Sequence, residues 1–179
     1  MGAVTAPTLT GPRVTLRAFT DADVAARQRH GWHREIERGY GSDRGTGPMT
    51  DAEARAWVSE LADREARGAT CWAVEAGGEL AGAVFLSDVR EAGRKARLAV
   101  GLYAPPLLGR GIGREAIGLV LRHAFGTLGM HRVDLLVLAD NARAIAAYRE
   151  SCFVDGSWHD DVVMGVLDRE FAALDPGAA

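Results

Sequence analysis

Cysteine is scarce. Cys71 and Cys152 are the only two in 179 residues, too few for a disulfide framework and without the spacing of a metal-ligand pattern. Both stand in apolar surroundings, so buried and inert thiols are expected. Long apolar runs are missing as well: no stretch approaches the roughly 18 apolar residues of a membrane span. No signal-peptide pattern is visible at the start, and a cytoplasmic protein is the expectation. Charge of one sign is also lacking, since 21 Lys and Arg stand against 24 Asp and Glu for a net −3. That balance leaves no basic footprint for nucleic acid and is compatible with a cationic substrate. Internal repeats and low-complexity segments are absent. So is the Gly-Lys-Ser/Thr ending of a P-loop. The one dense glycine cluster lies past the middle of the chain, where a dinucleotide fold would want it after the first strand.

What is present is a chain of single-domain length that is 47% hydrophobic, enough for a sizeable core. Residues 1–11 are small and polar and are expected to be loose; residues 12–174 read as one domain. Arg13 to Phe19 alternates, with Val14, Leu16 and Ala18 on one side, as a half-buried strand does. Thr20 can cap a helix running to His30, with Asp21 and Asp23 at its positive end. From Gly31 to Met49 the pattern breaks into a short helix and a glycine-rich loop. Thr50 and Glu53 form a capping box that opens a helix to about Arg67, stopped by Gly68. Thr70–Glu75 and Glu79–Ser87 read as strands joined across Gly77-Gly78, a tight hairpin turn. Val89 to Lys95 is a polar turn, Leu98–Tyr103 the next strand, and Pro105-Pro106 ends it. Apolar residues at helical spacing predict a helix over Arg114–Leu128. Arg132–Leu138 is a branched-residue strand. A helix capped by Asp140 or Asn141 runs to Ser151, and Val154–His159 with Asp161–Asp168 closes the chain as an antiparallel pair. Strands and helices in this order predict an α/β (α+β) fold, a mixed sheet flanked by helices.

The most informative stretch runs from Arg97 to Phe153. A strand leads into Gly109-Arg110-Gly111-Ile112-Gly113, which drops straight into a helix. Three glycines within five residues let the backbone approach a bulky anion. The first helical turn leaves N–H groups without intrahelical partners, and with the helix dipole they favour phosphate. Arg110 adds a forked cationic donor. The inference is a pyrophosphate cradle.

These residues, together with Leu128-Gly-Met-His-Arg-Val and Ala139-Asp-Asn-Ala-Arg-Ala-Ile-Ala-Ala-Tyr148, resemble the GNAT N-acetyltransferase superfamily, in particular its branch acting on ribosomal-protein N-termini, polyamines and some antibiotics. The resemblance extends from Arg13-Val-Thr-Leu-Arg to Val163-Met-Gly-Val-Leu. It departs from the family at Leu108, where Gln or Arg is usual, and at Ser151-Cys152-Phe153, where Leu-Gly-Phe is usual. The resemblance implies a mostly antiparallel sheet splayed at its central strands. Acetyl-CoA then serves as cosubstrate, in the gap, contacted by Val100, Leu102, Leu108, Gly109, Arg110, Gly111, Ile112, Gly113, Arg114 and Asn141. It implies Tyr148 as the general acid beside the CoA sulfur. Asn141 and Tyr148 are seven residues apart, two turns along one helix. Tyr148 also fits a core aromatic, and Asn141 a simple helix cap.

The implied acceptor is a primary amine of a small molecule (antibiotic, aminoglycoside-like or polyamine) or of a protein N-terminus. Trp32, Glu35, Glu37 and Tyr40 would form its acidic, aromatic rim; the same residues fit an ordinary surface helix. Trp158 to Asp161 is a second such segment, and equally fits a polar turn. The general base stays open among Asp88, Glu35, Glu37, His33, Asp160 and a water chain. No metal is called for, and a homodimer stays open. The alternative to an enzyme is a catalytically silent acyl-CoA sensor, motivated by the missing base.

Overall fold

The computed structural model describes residues 6–40, 42–138, 141–149 and 161–174, with the side chains of 91, 147–149, 161–164 and 172–174 left aside. Its strands are β1 (Leu9–Thr10), β2 (Val14–Arg17), β3 (Thr70–Ala76), β4 (Glu79–Arg90), β5 (Lys95–Leu102), β6 (Arg132–Leu138) and β7 (Asp161–Leu167). They lie in one sheet in sequence order. Every neighbouring pair is antiparallel except β5 with β6. The helices are α1 (Asp21–His30), α2 (Arg34–Arg38), α3 (Asp51–Ala66), α4 (Ile112–Arg122), α5 (Ala142–Arg149) and α6 (Asp168–Leu174). The expected mixed, mostly antiparallel sheet with flanking helices is what forms.

Strand period decides the two faces. Val14, Leu16, Trp72, Val74, Val84, Leu86 and Leu98 are buried in one cluster with Ile117, Val120 and Leu121 of α4. The opposite face carries the smaller buried residues Cys71, Ala73 and Ala83, where α3 lies on β3 and α1 on β4. Cys71 is thus a core residue, and burial pushes its thiol up to about 11, consistent with an inert group.

Local signals act as expected in several places. Glu53 N–H donates to Thr50 Oγ1 at 3.3 Å while Thr50 N–H donates to Glu53 Oε2 at 2.8 Å, closing the capping box of α3. Gly77 and Gly78 have φ of 63° and 80°, the left-handed pair that a two-residue hairpin needs.

Three expectations change. Leu9 and Thr10, in the stretch expected to be loose, pair with Leu16 and Thr15. The buried Trp72 indole holds this segment by donating to Pro7 O at 2.8 Å. The α4 pattern stops at Arg122 and continues as a wide π turn over His123–Thr127, a turn that contains the poor helix former Gly126. A short helix, α6, follows β7 and is started by Leu167 N–H donating to Glu170 Oε2 at 2.9 Å. The strand expected over Val154–His159 lies outside the described residues.

One ion cluster ties the first helix to the sheet. Arg17 on β2 donates from Nη1 and Nη2 to both oxygens of Asp23, at 2.8 and 2.9 Å, and from Nε to Glu75 on β3 at 2.8 Å. Asp23 is only 3% exposed. Burial opposes its charge, but the Arg17 guanidinium and the Thr20 donors outweigh it and hold the carboxyl below its ordinary range. A depressed carboxyl stabilises the fold above its unfolded pKa, about 3.9, and that contribution is lost as pH falls through the lower folded value. Arg17→Met strands the buried carboxylate and is expected to cost about 3 kcal/mol at neutral pH. In urea titrations the deficit relative to wild type should shrink below pH about 4. A small, pH-independent deficit would place the pair among ordinary surface contacts.

Candidate active site

The parallel junction is short. Lys95, Ala96 and Arg97 pair with Arg132, Val133 and Asp134, and no further. Beyond Arg97, β5 follows β4 as far as Leu102. Beyond Asp134, β6 follows β7 as far as Leu138. The sheet therefore splays between β5 and β6.

Main-chain direction inside the gap follows from register. Tyr103 N–H donates to Ala81 O at 3.0 Å, so Gly101 and Ala99, at steps of two, also turn their main-chain groups toward β4. Val100 and Leu102 turn theirs into the gap. Where β6 has left, the N–H groups of Val100 and Leu102 and the Leu102 carbonyl face a space in which a ligand arm could pair like a strand, while Val100 O is met by the Tyr40 hydroxyl.

At the C-terminal end of β5 the chain turns through Pro105–Leu107 into the glycine loop. Gly109 and Gly111 have φ of 71° and 78°, a left-handed conformation that favours glycine. The first intrahelical bond of α4 runs from Glu115 N–H to Gly111 O. The N–H groups of Ile112, Gly113 and Arg114 precede it and face outward at the positive end of the helix. A Cβ at Gly109 or Gly113 would meet nothing within 4 Å, so the space above the loop is open to a bulky group.

A pairing that sequence reasoning missed holds this loop in place. Glu115, in the first turn of α4, accepts Arg13 N–H at 2.8 Å, Val14 N–H at 3.0 Å and Arg13 Nε at 2.9 Å. Burial works against its charge, but these donors outweigh it and hold the carboxyl below its usual range. Arg13 Nη1 also donates to Arg110 O at 3.2 Å. The legible signal was Glu115 itself: a carboxylate beside a phosphate cradle is repulsive unless something neutralises it.

The segment from α2 to Tyr40 crosses the mouth of the gap and touches both walls. The Tyr40 hydroxyl donates to Val100 O at 3.2 Å, and a Cβ at Gly101 would overlap that hydroxyl. On the other wall, Asn141 Nδ2 donates to Gly39 O at 3.3 Å while its Oδ1 caps α5 by accepting Ala144 N–H at 3.2 Å. Arg143 on α5 pairs with Glu35 at 2.6 Å. The resulting cleft has a volume of about 1150 Å³.

The fold that carries these splayed strands and this glycine loop is shared with known proteins. The profile of the Acetyltransferase (GNAT) domain matches residues 13–153. The chain belongs to the GNAT acetyltransferase family. An acetyltransferase-like crystal structure from T. thermophilus is 27% identical, superimposes with a TM-score of 0.82, and covers 99% of this chain and 97% of its own. Mycobacterium smegmatis RimJ, in complex with CoA-disulfide, has a TM-score of 0.74 at 21% identity and covers 98% and 95% of the two chains, a likeness of fold. The spermidine N(1)-acetyltransferase of Escherichia coli (strain K12) is 25% identical over 111 residues, 56% of this chain and 59% of that protein. The match thus spans under two thirds of that curated relative.

Within this GNAT fold, Val100, Leu102, Leu108, Gly109, Gly111, Ile112, Gly113, Arg114 and Asn141 all line the cleft. The Arg110 side chain is not among its walls. Of the rim residues, Glu35 and Tyr40 line the cleft, while Trp32 and Glu37 do not. Trp32 is engaged elsewhere. The guanidinium carbons of Arg27 and Arg44 lie 4.5 and 3.8 Å from its ring centroid, and its indole donates to Glu53 at 3.1 Å. Burial pulls the pKa of Arg27 down, and the nearby Tyr103 and Glu37 work in the opposite direction. Asp88 pairs with Arg97 at 3.4 Å and, like His33, stands outside the cleft. The backbone of Tyr148 lies on α5, but its side chain is outside the described set, as are Trp158 to Asp160.

Gly113 gives a cleaner test of the cradle than Gly111, because its backbone is helical and its Cβ position is empty. Gly113→Asp should leave the melting temperature nearly unchanged. It should weaken CoA binding at least about tenfold by calorimetry, since it sets a carboxylate against the pyrophosphate. Unchanged affinity would move the phosphates to another part of the cleft.

Proposed function

We propose that the protein is an acetyl-CoA-dependent N-acetyltransferase that acetylates a primary amine of a small molecule or of a protein N-terminus. The observation that carries this reading is the loss of β6 from β5 after Arg97, with the glycine loop and the α4 N-terminus at the end of the exposed edge. The residues present fit acetyl-CoA. Val100 and Leu102 offer main-chain partners to the amides of the pantetheine arm. The N–H groups at the start of α4 and the cation Arg114, which lines the cleft, suit its phosphates.

The substrate supplies an activated acetyl thioester. The neutral amine nitrogen attacks its carbonyl carbon, the C–N bond forms and the C–S bond breaks; the nitrogen gives up one proton to solvent water, and the sulfur leaves as thiolate and takes one, so that an amide and a free thiol result. The protein's first task is to hold the two reactants together, which can supply much of the rate. Tyr148 is the proposed proton donor to the thiolate; its support is its place on α5, two helical turns after Asn141, whose amide faces the cleft. Glu35 is the one carboxylate lining the cleft among the described residues. Arg143 already engages it at 2.6 Å, so it is poorly placed to take the amine's proton. The relative named for spermidine shows that this family includes enzymes of small amines, which supports the acceptor class without choosing its member.

The test is thiol release from acetyl-CoA against a panel of primary amines. Turnover with at least one amine and none with secondary alcohols is expected. CoA binding without turnover on any amine would contradict the reading. Tyr148→Phe should retain CoA affinity and lower kcat by about 10²–10⁴-fold; an unchanged kcat would remove Tyr148 from the proton transfer.

A further inference from the structure

The cleft wall is cationic where an ammonium site was expected. Among the described residues its charged side chains are Arg34, Arg38, Arg114, Arg143 and Glu35, four arginines and one carboxylate. Glu35 is already satisfied, 2.6 Å from Arg143. Of the two aromatic rings expected to meet an ammonium, Trp32 lies under two guanidinium groups, and Tyr40 lines the cleft with its hydroxyl bonded to Val100 O. A polycation entering here would meet like charge, which disfavours binding.

Arg34 and Arg38 stand apart from the other two. Arg143 is neutralised by Glu35, and Arg114 belongs to the phosphate loop. Arg34 and Arg38 are four residues apart on α2, so they project from one side of that helix. Both are exposed and both line the cleft. Among the described residues, neither side chain takes part in a hydrogen bond or ion pair. Their helix is fixed at three points, by Glu35 to Arg143, Gly39 O to Asn141 and Tyr40 to Val100. Two guanidinium groups without a described partner are thus held at the cleft by a pinned helix, on an element separate from the glycine loop.

We propose that Arg34 and Arg38 form the anion-recognition part of the acceptor site, and that the acceptor is an amine that carries a carboxylate, such as a peptide N-terminus followed by an acidic residue. This rests on the acetyl-transfer reading above and narrows its acceptor class. The planar guanidinium fork matches a carboxylate in two parallel hydrogen bonds. Placing it there draws the anionic end of the acceptor to α2 and leaves the amine free to face the acyl group.

The experiment uses matched acceptors, the tripeptides Ala-Asp-Ala, Ala-Asn-Ala and Ala-Lys-Ala with amidated C-termini, and spermidine. Each is assayed at saturating acetyl-CoA and also titrated calorimetrically into CoA-loaded protein. Ala-Asp-Ala is expected to have the highest kcat/KM and the tightest binding, by about tenfold over Ala-Asn-Ala. The double variant Arg34→Ala/Arg38→Ala should abolish that preference and leave the KM for acetyl-CoA unchanged; Arg34→Lys/Arg38→Lys should restore part of it. A wild-type preference for spermidine or Ala-Lys-Ala overturns the proposal. So does a double variant whose KM rises for acetyl-CoA but not for its 3′-dephospho form, because the arginines then serve the cosubstrate's phosphate. Arginine-dependent binding of Ala-Asp-Ala without turnover on any amine would uphold the anion site while contradicting the transferase reading.

Discussion

After Arg97 and Asp134 the parallel pair of strands parts company, and the main-chain groups of Val100 and Leu102 lose the neighbour that would have satisfied them. A parallel junction is slightly weaker per residue than an antiparallel one, and each strand here keeps a longer antiparallel partner on its other side. The natural twist of the sheet can therefore open this seam while the others hold. An unpaired strand edge is ordinarily a liability. Here it is enclosed by α2 on one side and α5 on the other, and it faces the loop that leads into α4. The opening of the cleft follows from that one missing strand contact.

The cleft's two ends are built by different physics. The glycine-loop end depends on backbone: left-handed glycines, helix-start N–H groups and a helix dipole, with Glu115 and Arg13 fixing the loop against β2. Side chains matter there mainly by staying out of the way. The α2 end depends on side chains. Tyr40, Glu35 and Asn141 pin a five-residue helix that could not hold its shape alone, and the pinning presents Arg34 and Arg38 to the cleft. Glu35 is thereby changed from a site for an ammonium into a structural anchor.

The parts of this account legible in the sequence were those set by local rules. Strand alternation, the Thr50–Glu53 box, the Gly77-Gly78 turn and the amphipathic α4 each depend on residues close in the chain. The glycine loop was legible for the same reason, since main-chain donors need only glycine spacing and a following helix. What escaped was long-range pairing. Glu35 looked like a free carboxylate because Arg143 is 108 residues away. Trp32 looked like a binding aromatic because its partners Arg44 and Glu53 come from a loop and the next helix. The pairing of Leu9 with Leu16 was hidden by polar, small neighbours that carry no strand signal. Arginines at 34 and 38 were in plain view, but their weight appears only once the neighbouring glutamates are accounted for.

The central claim is that the β5 edge opposite β4 receives the pantetheine arm. Amide hydrogen exchange at β5, followed residue by residue by NMR with and without CoA, tests it most directly. Gly101 N–H already bonds to β4, so its exchange should change little. The N–H groups of Val100 and Leu102 face the gap, and CoA should slow exchange at one or both by about tenfold or more. Equal protection along the whole strand, or none at Val100 and Leu102 under saturating CoA, would contradict the account.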